Sequence, residues 1–112
     1  MKIIHILVIV LLLSLFSSNV IGTNNQLNEA ISHAEQAVKA SDGKEIATHA
    51  QEAKASALEA KKAGNFSDDA KYHLEAGIIN LEHVIEKGNA GALDSAHQNA
   101  SDAVRHFKEI SN

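Results

Sequence analysis

Four runs of near-equal length, in which apolar side chains recur every three or four positions, make up residues 25–110. No proline interrupts them, and each junction carries glycine: Ser41-Asp42-Gly43, Gly64-Asn65-Phe66-Ser67 and Gly88-Asn89-Ala90-Gly91. That spacing puts one stripe on one face of a helix and is incompatible with the two-residue alternation of a half-buried strand. The stripes are Leu27, Ala30, Ile31, Ala34, Ala37 and Val38; Ile46, Ala50, Ala53, Ala57 and Ala60; Leu74, Ile78, Leu81, Val84 and Ile85; and Leu93, Ala96, Ala100, Ala103, Val104, Phe107 and Ile110. Each junction joins a glycine able to end a helix to a residue able to cap the next. Such short connections predict antiparallel neighbours. The expected fold is therefore all-α, an up-down-up-down four-helix bundle.

A shift of 47 residues lays Leu27 on Leu74, Ile31 on Ile78, Ala34 on Leu81, Ala37 on Val84 and Val38 on Ile85. It continues with Ile46 on Leu93, Ala53 on Ala100 and Ala57 on Val104. A helical hairpin used twice accounts for the scaffold. It does not account for the histidines, because His33 falls on Asn80 and His49 on Ala96. The second stripe is mostly alanine, out of 18 alanines in the chain, so that helix must approach its neighbours closely.

The first 22 residues read differently. Lys2 precedes an apolar run from Ile3 to Phe16, broken only by His5 and Ser14, and Val20-Ile21-Gly22 supplies modest residues before a cleavage point. A run near 14 residues is shorter than the ~20 of a bilayer span and fits a secretory signal peptide. The expected division is 1–22 signal peptide and 23–112 bundle, placing the protein in the periplasm or the medium. Loss of Lys2 and His5 would leave nine basic against fourteen acidic side chains and six histidines.

The histidines pose the functional question. With apolar a and d positions, His33, His49, His73 and His106 all fall at g, His97 at e and His83 at c. Each g histidine has a carboxylate four residues earlier: Glu29, Glu45, Asp69 and Asp102. Glu52 and Glu109 add one three residues after His49 and His106. Residues four apart share a helix face about 6 Å apart, so imidazole and carboxylate are placed to share an ion or a hydrogen bond. In antiparallel neighbours the g edges meet. Two clusters are expected: His33 and His49 with Glu29, Glu45 and Glu52, and His73 and His106 with Asp69, Asp102 and Glu109. His97 is a further candidate ligand, and His83 a bystander. Two imidazoles with carboxylates suit copper, nickel or zinc rather than calcium or magnesium, with copper first.

Other chemistries find little footing. The absence of cysteine removes disulfides, thiolate sites, thiol nucleophiles and a lipoprotein anchor. A net charge of −4 gives no basic face for nucleic acid. Di-iron bundles point Glu and Glu-x-x-His into a core that is apolar here. No Gly-x-Ser-x-Gly elbow or phosphate-binding glycine loop occurs, so no enzymatic reaction is indicated. The expectation is a monomer whose partners are metal ions, without nucleic acid and without a membrane span once the signal is cleaved. The alternative from another class is an exported non-metal bundle presenting a helical face to a protein or apolar partner.

The segments "ISHAEQAVKASDGKEIATHAQEAKASALEAKKAG" and "LEHVIEKGNAGALDSAHQNASDAVRHF" carry a recurring H-A-x-x-A phrase at His33 to Ala37 and His49 to Ala53. Over residues 25 to 110 the chain resembles the small metal-binding protein family, periplasmic bundles of duplicated hairpins with histidine-rich faces. The resemblance implies binding of copper and other divalent metals for storage or buffering outside the cytoplasm. Typical members carry more histidines, often beside the turn glycines, where this chain reads Ser41, Lys62 and Lys87.

Overall fold

The computed structural model describes residues 23–111, so the expected signal segment, residues 1–22, lies outside the described residues. Four helices follow in order: α1 (Thr23–Lys39), α2 (Gly43–Ala63), α3 (Asp68–Asn89) and α4 (Leu93–Ser111). Each packs on two neighbours, α1 and α3 both lying against α2 and α4. Ion pairs give the register of α2 and α3. Lys54 pairs with Glu82 and Lys61 with Glu75, so a step forward along one helix is matched by the same step backward along the other. Among the described residues no helix is long and apolar enough to cross a membrane.

The helix ends follow from local chemistry. Asp42 caps α2 by accepting from the Glu45 N–H at 3.2 Å, and Ser67 caps α3 by accepting from Ala70 at 3.1 Å. Side-chain oxygens there satisfy amides that have no partner inside the helix. The end of α3 has Gly91 at φ 77°, with the Ala92 N–H donating to Lys87 O at 2.9 Å and the Gly91 N–H to Gly88 O at 3.1 Å. That is the paired-bond C-terminus in which a left-handed glycine closes the last turn.

Two of the junction glycines act differently from the expectation that they terminate helices. Gly43 opens α2 and Gly88 sits within α3, where the two backbones pass in close contact. A Cβ added at Gly88 would lie 2.7 Å from the Gly43 carbonyl oxygen, so only glycine allows this approach. Gly77, also buried, leaves room for the Phe107 ring.

The core follows the stripes. Phe107, Leu27, Ile46, Leu74, Leu81 and Val84 are its large fully buried side chains, and alanines fill most of the rest. From α2 come Ile46 and five alanines, together with Ser56, a buried hydroxyl without a hydrogen-bond partner among the described residues. The 47-residue repeat is uneven in three dimensions. Leu27 and Leu74 are both buried, whereas Ile46 is buried and its counterpart Leu93 is exposed.

Candidate metal centre

His33 on α1 and His49 on α2 flank the first turn at matching distance, each eight residues from Ser41, and both are half-buried. Glu52, one turn beyond His49, brings its Oε1 to 3.3 Å from His49 Nδ1 and 3.6 Å from His33 Nδ1. One ligand atom from each of the three falls within 4.8 Å of the others. With metal bonds of about 2.0–2.1 Å, the 3.3 and 3.6 Å carboxylate–imidazole edges would each subtend roughly 105–125° at an ion, angles near those of a tetrahedral edge. Two borderline nitrogens and one hard oxygen, with a fourth position open to water, form a donor set suited to zinc, copper or nickel. Among the described residues this is the only such group of three or more. Glu29 and Glu45, the carboxylates four residues before these histidines, lie outside it; Glu45 is exposed and its backbone N–H is engaged by Asp42.

His73 on α3 and His106 on α4 are also brought together. Their Nδ1 atoms stand 3.0 Å apart and their ring centroids 5.3 Å apart, with the planes inclined by 37°. At that distance one ring donates Nδ1–H and the other accepts through its lone pair. Burial, then the neighbouring His73 and Arg105, hold the His106 pKa below the ordinary 6.5, outweighing Asp102 and Glu109. Tyr72 covers the pair edge-on, with centroids 5.3 Å from His73 and 6.4 Å from His106.

The carboxylates expected around this pair are dispersed. Asp69 reaches only to 3.8 Å from His73 Nε2 and is largely solvated. Asp102 turns to Arg105 at 3.2 Å and accepts from Gln98 at 3.5 Å, and Glu109 is exposed. His97 joins neither cluster. Its Nε2 donates to the Ala40 carbonyl oxygen at 2.6 Å, fastening α4 to the C-terminal end of α1. His83 is exposed.

The model of the small metal-binding protein family matches residues 1–110. The chain belongs to that family. No curated protein matches it significantly. The family is one of metal-binding proteins rather than enzymes, and a His/Glu group able to hold an ion accords with it. Gly88 was read only as a junction glycine, and Ser56 and Gly77 escaped the sequence reading because a small residue carries no hydrophobic signal. Their only trace in the chain is heptad position, Ser56 standing seven residues after His49 and Gly77 seven before Val84.

Proposed function

We propose that the protein is an exported carrier of divalent transition metals, copper first and nickel or zinc next, which it stores, buffers or scavenges outside the cytoplasm. The carrying observation is the convergence of His33, His49 and Glu52 across the α1–α2 seam. The bound ion is cargo. Imidazole and carboxylate bind it in the order common to such donors, which favours copper. One carboxylate offsets half of a divalent charge, and the half-buried setting leaves a route for exchange with solvent. An apolar leader at residues 3–16 supports export, as does a donor set free of thiols that an oxidising compartment would consume.

The test is titration of the purified protein with Cu(II), Ni(II) and Zn(II), alone and with His33 and His49 both replaced by Gln. Saturable binding that is lost in the double variant is the expected result. Binding unchanged by the replacements would remove the site. Elemental analysis of protein taken from its native compartment identifies the physiological ion.

A further inference from the structure

The two histidine pairs differ in chemistry. At the α1–α2 seam a carboxylate lies between the imidazoles, whereas among the described residues no carboxylate joins His73 and His106 in a group of three. The 5.3 Å centroid separation exceeds the 3.0 Å Nδ1–Nδ1 gap by about the two centroid-to-nitrogen radii, so these nitrogens face one another along one line. A divalent ion with bonds of about 2 Å across that gap needs an angle near 97°, which would swing both lone pairs about 40° off their line. A two-coordinate ion on the line needs the nitrogens only about 1 Å farther apart, within the reach of small rotations about the side-chain bonds. The pair is half-buried and edged by Tyr72, and its nearest carboxylate, Asp69, is largely solvated and 3.8 Å from His73, so a dication there is compensated less than at the α1–α2 seam and lower charge is favoured. No sulfur occurs after Met1, so two imidazoles without oxygen are the softest donor set in residues 23–112.

We infer that His73 and His106 form a second cargo site, selective for a monovalent d10 cation: Cu(I), bound as it arrives already reduced, with Ag(I) as its redox-inert counterpart. The ion takes the line between the two Nδ1 atoms. The ring that carried the Nδ1 proton moves it to Nε2 by exchange with water, both rings stay neutral, and no net proton is released. In that tautomer His73 Nε2–H lies on the side of Asp69, 3.8 Å away and one turn earlier. The inference shares with the function proposed above only the premise that the bundle carries metal ions.

The experiment is Ag(I) titration in chloride-free buffer, read by calorimetry and by imidazole nitrogen resonances, with Zn(II) run in parallel. The expected result is one Ag(I) per chain, with the His73 and His106 resonances moving together. That binding is lost in His73→Gln and in His106→Gln and kept when His33 and His49 are both Gln. Retention of Ag(I) in both single variants, or its loss only on replacing His33 and His49, overturns the inference. So does wild-type protein whose His73 and His106 resonances stay put under Ag(I), a readout that needs no variant to fold. Zn(II) binding lost without His33 and His49 upholds the divalent site whatever silver does, so the two readings fail separately.

Discussion

Glu52→Gln isolates the charge that joins His33 to His49. In the metal-free protein the cost is small. The carboxylate is about one-fifth exposed, its partners are 3.3 and 3.6 Å away, and ion pairs this accessible contribute about 0–1 kcal/mol. With metal the change removes one of three converging donors. At free Zn(II) about 100 times the dissociation constant, binding to the native state adds about 2.7 kcal/mol. For a domain near 90 residues each kcal/mol moves Tm by about 4–8 °C, so Zn(II) should raise the wild-type Tm by roughly 10–20 °C. If losing the carboxylate weakens binding about a hundredfold, the same free Zn(II) contributes only about 0.4 kcal/mol, or 2–3 °C. Thermal unfolding followed by circular dichroism at 222 nm, at fixed free Zn(II), measures both. A full Zn(II)-induced shift in Glu52→Gln, with metal-free Tm unchanged, would refute the assignment of Glu52 as a ligand.

Three further outcomes are expected. Because the folded-state pKa of His106 lies below its unfolded 6.5, the unfolded chain takes up the proton first. This group's stabilisation is therefore present above 6.5 and lost as pH falls through 6.5 toward the lower folded value. Urea midpoints of metal-free protein should drop between pH 7 and pH 5, less steeply in His106→Gln; an identical slope in the variant would count against the depressed pKa. Gly88→Ala should destabilise by about 1–3 kcal/mol despite a better helix propensity, since its Cβ meets the Gly43 carbonyl oxygen rather than a movable side chain. A variant as stable as wild type by urea unfolding would show that α2 and α3 separate at little cost. His97→Ala should cost about 1 kcal/mol by removing the bond to the Ala40 carbonyl, with faster amide exchange at the end of α1 and metal binding unaffected. Loss of Cu(II) binding in this variant would restore His97 to the ligands.

Four helices were legible from the chain because periodicity and capping are local properties. Every stripe residue of α2 is buried, and Asp42 and Ser67 cap where their side chains can reach the first amides. The pairing of His33 with His49 and of His73 with His106 was legible for the same reason: a heptad position and a distance from a turn fix a side chain's edge and height. Choice among the flanking carboxylates was not. Glu45 and Glu52 stand near the same edge of α2, and the residue four earlier is a neighbour on paper, yet Glu52 is the one that reaches both rings. Arg105, three residues after Asp102, competed for that carboxylate, and Ala40 captured His97.

The chain alone therefore determined how many helices form, which face each buries and which histidines share an edge, since all three depend on residues within a few turns of one another. Tertiary structure alone decided the close pass of Gly43 and Gly88, the seat of Phe107 on Gly77, the burial of Ser56 and the line between His73 and His106. These depend on separations of a few tenths of an ångström between helices, set by the joint packing of all four.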